Sequence, residues 1–330
     1  MINRQCFGIT AAGEPVYALR ITCGRSAVTL LTLGAVIQSL TVPNRSNLPV
    51  DVCLGYDSVA EYEANDGCMG AVVGRCANRI GGAEISLDGA TFRLSENRKG
   101  FHIHGGFHGY QSRIWNWSCA ERSVTFYLED LDGTEGYPGT VYAEVTYSMV
   151  DERTLSIHYF ARCTKKTVIN LTNHSYFHPD GHNAGAIGNC SLWVNAETAT
   201  EADDMGMPMG TLIPVAGSEW DYRTPHRALT RLKTGLDLCY LPEGNGMRPF
   251  ARVEGATLGL EISADTPALQ VYMANFLRER RGKYGSVYFP QCAICLEPSY
   301  LPDAIHHPRW KQPVFTLERP YCHTTILHFY

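Results

Sequence analysis

The chain has 330 residues, with 28 basic and 33 acidic side chains for a net charge of −5, and is 45% hydrophobic and 18% charged. That balance excludes collagen-like, disordered and coiled-coil sequences. The mild acidity and the lack of a dense Lys/Arg cluster argue against a nucleic-acid partner, since nothing is present to release phosphate counterions.

The N-terminal residues 1–6 lead into polar sequence with no apolar core of a signal peptide, so a cytoplasmic protein is expected. Residues 26–42 read as two strands broken near Gly34. They are too rich in Thr and Ser for a membrane span, which needs about 20 mostly apolar residues, so no membrane partner is expected. Ser58 with Glu61 forms a capping-box pattern that opens a helix of about two turns. Alternating β-branched and aromatic residues predict strands over 83–94, 124–131, 167–171, 268–275, 292–297 and 324–330, and a hairpin joining 141–150 to 154–162. Residues 222–232 suggest one more short helical turn. Trp115 and Trp117 stand two apart on a strand pattern, which points to core packing.

No repeat, linker or composition shift divides the sequence. The expectation is therefore one domain over 1–330, an all-β fold with a large antiparallel β-sandwich, few short helices and long loops. A chain of this size buries roughly three-quarters of its extended surface, so it needs no metal for stability. The 12 cysteines are spread along the chain and read as free thiols. Cys292 and Cys295 fall three apart in a strand pattern, hence on opposite faces, and are not expected to chelate one metal.

Four segments stand apart from ordinary strand and turn sequence: GRCANRI (74–80), HIHGGFH (102–108), NLTNHSYFHPDGH (170–182) and CLEPSYLPDA (295–304). Metal chemistry is a poor match for them. His102 and His104 share a strand face but lack the nearby Glu of a cupin site. His174, His178 and His182 have helical spacing across Pro179 and Gly181, which break helices. No GxSxG elbow, phosphate-binding glycine loop or redox cysteine motif is present. General acid–base work by a histidine and a carboxylate remains, and His174 and Glu297, each next to an apolar strand run, are the best candidates.

Taken together, these segments resemble the aldose 1-epimerase (galactose mutarotase) family. GRCANRI is similar to its GRxANRI, HIHGG to its LHGG, NLTNHSYF to its NLTNH[ST]YF, and CLEPSYLPDA to its CLETQxxPDA. GLDLCY (235–240), LQVYMANF (269–276) and YCHTT (321–325) match further family segments, seven in order along nearly the whole chain. The resemblance implies a galactose-mutarotase-like β-sandwich that interconverts the α and β anomers of a free aldohexose, with no cofactor and no metal. His174 would be the general acid and Glu297 the general base. Asn78, Arg79, His104, Asp237 and Gln270 would hold sugar hydroxyls, and Ser175 and Tyr176 would add to the pocket wall. The small-molecule sugar would be the partner, for a monomer or homodimer.

The departures from the family pattern cluster at the pocket edge. Phe101, His102 and Ile103 precede the glycines, Pro298-Ser299 follow Glu297, His306-His307 follow the PDA segment, and Leu238 follows Asp237. They leave sugar preference open. Two other readings are carried: a sugar-phosphate 1-epimerase on the same fold, for which Arg75, Arg79, Arg98 and Lys99 are the available cations, and a non-catalytic carbohydrate-binding or sensor protein.

Overall fold

Along Val141–Asp151 every second residue from Val141 to Met149 is buried. Successive side chains of a strand point to opposite faces, so this strand offers one apolar face to a core. Its neighbour Thr154–Cys163 repeats the pattern in antiparallel register, with Val145 opposite Tyr159. These are two of the nine strands of the largest sheet, and Tyr321–Phe329 and Gly259–Ala264 continue it. The structure, a computed structural model, describes residues 2–64, 66–228 and 235–330.

A six-stranded antiparallel sheet packs against the large one. Its order runs Tyr176–Phe177, Ile294–Ser299, Ala268–Tyr272, Asp237–Pro242, Ala196–Ala202 and Pro208–Pro214. Leu238, Tyr240, Leu269, Val271, Ile294 and Leu296 from this sheet share one apolar cluster with Val145, Tyr147, Ile157 and Tyr159 of the nine-stranded sheet. Each such side chain contributes about 1.5–3 kcal/mol when fully buried. A third sheet, of five strands from Ile2–Ile9 to Pro49–Asp51, includes the two strands expected on either side of Gly34.

The expected β architecture is present. Val59–Glu63 is the one α-helix among the described residues. Ser58 caps it by accepting from Glu61 N–H and donating to the Glu61 carboxylate at 2.7 Å, and at five residues it falls short of two turns. The helical turn expected over 222–232 is not found. His226–Arg227 pairs instead as a short strand with Ser191–Leu192, and 229–232 lie outside the described residues. Trp115 is buried in the main core and Trp117 packs against it. No helix of the described residues is long and apolar enough to cross a membrane.

Candidate active site

The face of the six-stranded sheet turned away from the core carries the polar residues. In the strand Ile294–Ser299, Ile294 and Leu296 enter the core, so Cys295 and Glu297 take the opposite face. The same parity places Gln270 and Tyr272, and Asp237 and Cys239, on that face. Register then aligns them in rows. Gln270 lies opposite both Glu297 and Cys239, and Tyr272 lies opposite both Cys295 and Asp237. Tyr176 pairs with Cys295. Two residues earlier on the same segment, His174 comes to Glu297, with 3.7 Å between its Nε2 and Glu297 Oε1.

The other wall is built by GRCANRI and HIHGG, which pair as Arg79–Gly81 with Phe101–Ile103. Asn78 and His104 both hold left-handed backbone (φ 62° and 52°) at the ends of this ribbon. They exchange backbone contacts: His104 N–H donates to Asn78 O at 3.1 Å, and Asn78 N–H donates to His104 Nδ1 at 3.2 Å. The second bond leaves the proton of the neutral imidazole on Nε2. Gly105 turns the chain where a Cβ would lie 1.7 Å from Gly74 O, so only glycine fits. Asp303 braces the ribbon by accepting from Gly81 N–H at 2.8 Å while its own N–H donates to Arg79 O.

A hydrogen-bonded chain joins the two walls. Asn78 Nδ2 donates to Gln270 Oε1 at 3.1 Å, and Gln270 Nε2 donates to Asp237 Oδ1 at 2.6 Å. Arg79 N–H and Nη1 donate to Asn78 Oδ1, while its buried Nε has no partner among the described residues. The Arg79 guanidinium lies 5.7 Å from the Phe101 ring centre. His174 is stacked against Tyr176, with ring centres 5.1 Å apart, and meets His104 edge-on at 5.4 Å. These groups enclose a cavity of about 280 Å³.

Burial sets the protonation of the cavity floor. It pushes Glu297 up to about 8, helped by the Asp237 charge and opposed by Arg79. It pushes His174 down to about 4. His104 is driven well below the usual histidine value, by burial first and then by His174 and Arg79. Asp237 is raised by burial, with Arg79 and Gln270 opposing. Between about pH 4 and about pH 8, His174 and Glu297 therefore hold one proton between them, and burial favours its residence on the carboxyl.

Eight of the nine residues expected at the site line the cavity: Asn78, Arg79, His104, His174, Tyr176, Asp237, Gln270 and Glu297. Ser175 does not. Between His174 and Tyr176 its parity is that of the core face, where both its N–H and its hydroxyl donate to Asn173 Oδ1. Arg75 is also turned away, buried against Asp130 at 2.7 Å and against the carbonyls of Pro138 and Gly139. The cavity mouth adds Asp66, Cys68, Tyr272, Phe276 and Arg278, which the sequence does not single out, and it includes Arg98, one of the cations expected near a phosphate. Tyr272 was within reach of a period-two argument from Gln270. The others sit on loops with no such periodicity.

Known proteins share this arrangement of chain. A family profile described as aldose 1-epimerase matches residues 17–327. Human galactose mutarotase is 32% identical over 99% of this chain and 98% of its own length. The aldose 1-epimerase of Escherichia coli K12 is 33% identical over 91% of each chain. Among solved structures, the GalM/aldose epimerase homologue from C. elegans superposes with a TM-score of 0.90 at 26% identity, covering 95% of this chain and 98% of that one. Galactose 1-epimerase from Lactobacillus acidophilus NCFM has the same fold, with a TM-score of 0.85 at 23% identity over 100% and 98% of the two chains. A profile match over nearly the whole chain and full-length relatives at about one-third identity leave one conclusion: this chain belongs to the aldose 1-epimerase family, isomerases that act on carbohydrates.

Proposed function

We propose that the protein is a mutarotase of free aldohexoses such as galactose or glucose, with His174 and Glu297 as its acid–base pair. The supporting observation is the buried imidazole and carboxyl, 3.7 Å apart at the cavity floor, holding one proton between them across neutral pH. Mutarotation needs that inventory. One proton leaves the anomeric hydroxyl, one reaches the ring oxygen, and the C1–C2 bond turns before the ring closes on the other face of the aldehyde.

In the opening step Glu297 takes the anomeric proton and His174 donates to the ring oxygen; closure reverses both transfers. The bound sugar favours the starting state, because its anomeric hydroxyl donates to the Glu297 carboxylate and its ring oxygen accepts from the protonated imidazole. Ring opening ends with a protonated carboxyl and a neutral imidazole, the state that burial favours, which helps offset the cost of the open-chain form. Asn78, Arg79, His104, Asp237 and Gln270 hold hydroxyls, with the charged groups making the stronger bonds. Tyr176 fixes the His174 ring by stacking. The reaction breaks no C–H bond and moves no electrons, so it calls for no cofactor, and we read residues 1–330 as one domain.

A phosphorylated aldose is the second reading. Arg98 and Arg278 at the cavity mouth favour it, although Arg75 is committed to Asp130. Polarimetry with fresh α-galactose, α-glucose and glucose 6-phosphate tests both. The mutarotase reading predicts faster decay of rotation with the free sugars. Acceleration with the phosphate alone favours the second reading, and none with any sugar leaves a binding protein.

A further inference from the structure

Anomer exchange leaves unused one buried group that lies beside the acid–base pair but does not line the sugar cavity. Cys295 is fully buried, two residues before Glu297 on the same strand face. A His174 ring nitrogen, the Cys295 sulfur and a Glu297 carboxylate oxygen all lie within 4.8 Å of one another. Zinc bonds of about 2.0–2.3 Å at tetrahedral angles set neighbouring donors roughly 3.3–3.8 Å apart. The His174 Nε2–Glu297 Oε1 separation of 3.7 Å is already in that range. Neither side chain is satisfied by the protein. Glu297, only 4% exposed, accepts no hydrogen bond from the described residues, and none of them is hydrogen-bonded to His174 Nε2, the ring nitrogen that faces it.

We propose that His174, Cys295 and Glu297 form a site for a zinc-like divalent cation, which inhibits the enzyme by excluding the sugar. The proposal rests on the reading of His174 and Glu297 as the acid–base pair. One nitrogen, one sulfur and one oxygen donor suit zinc or a softer ion rather than magnesium or calcium, which take six or more oxygens. The cavity beside Glu297 admits the ion and leaves its fourth position to water. On binding, the Cys295 thiol and the Glu297 carboxyl release their protons to solvent, three bonds to the ion form, and no electrons are transferred. A second set of donors, His178, Asp180 and Cys190, is less suited. His178 Nδ1 already accepts from Asp180 N–H, and the Asp180 carboxylate accepts from Ala256 and Thr257.

Zinc chloride titrated calorimetrically into chelator-treated full-length protein tests the proposal, with cobalt as a spectroscopic substitute. Turnover in zinc-free buffer, measured first, tests the epimerase reading separately. Wild type should bind a single equivalent, show thiolate-to-cobalt charge transfer, and bind zinc about tenfold more weakly or worse under saturating galactose. Cys295→Ser should weaken zinc by about tenfold or more and abolish the charge-transfer band, while zinc-free turnover and the circular dichroism spectrum stay near wild type. Cys190→Ser should change nothing. Absence of zinc binding, binding indifferent to galactose or to Cys295→Ser, or binding lost in Cys190→Ser would each overturn the proposal.

Discussion

Gln270 and Glu297 stand directly opposite each other on adjacent antiparallel strands, and Gln270 also carries the hydrogen bonds that join Asn78 to Asp237. The amide thus fixes the geometry of groups on both walls while hydrogen-bonding to neither His174 nor Glu297. Gln270→Leu keeps the volume and strips both bonds. A hydrogen bond to a charged group contributes about 1.5–3 kcal/mol, so kcat/KM should fall about 10–100-fold, chiefly through KM. Steady-state kinetics on galactose checks this.

The pH profile follows from the shared proton. Below about pH 4 both His174 and Glu297 are protonated and no base remains; above about pH 8 neither is, and no acid remains. The plot of kcat/KM against pH should be flat between those limits and fall by about tenfold per pH unit outside them. The two limits belong to the pair as a unit. A decline that begins near pH 6 in the acid direction would mean that His174 titrates as an ordinary exposed histidine.

Ser175 faces the core, so Ser175→Ala should leave KM near wild type and reduce stability by about 1 kcal/mol through the lost bond to Asn173. Urea unfolding and kinetics on the same preparation separate the two effects. A large rise in KM would return Ser175 to the pocket wall.

Arg75 and Asp130 are buried together at 2.7 Å, far from solvent screening. Arg75→Leu leaves the Asp130 carboxylate with Arg113 as its remaining ion partner. Stability should drop by about 3–5 kcal/mol, seen as a lower urea midpoint with an unchanged slope.

The strands were legible where one face is buried. The alternation along 141–150 and 154–162 gave the hairpin almost to the residue. The same logic failed for Ser175, because family motifs name neighbours while strand parity separates them: His174 and Tyr176 share the cavity face and Ser175 does not. The cations at the mouth show another limit. Arg75 lies in a site motif yet is buried against Asp130, whereas Arg278, which lies in none of those motifs, lines the cavity. Their destinations depend on long-range contacts that spacing does not encode. The pairing of His174 with Glu297 needed sheet register, since more than a hundred residues of sequence lie between them.

The most direct test of the central claim is exchange between the α and β anomeric proton signals of galactose at equilibrium, followed by saturation transfer in wild type, His174→Gln and Glu297→Gln. If the two residues are the acid–base pair, wild type exchanges the anomers well above the buffer rate, and each variant, folded by circular dichroism, loses about 10²–10⁴-fold. Exchange at the wild-type rate in either folded variant would contradict the account.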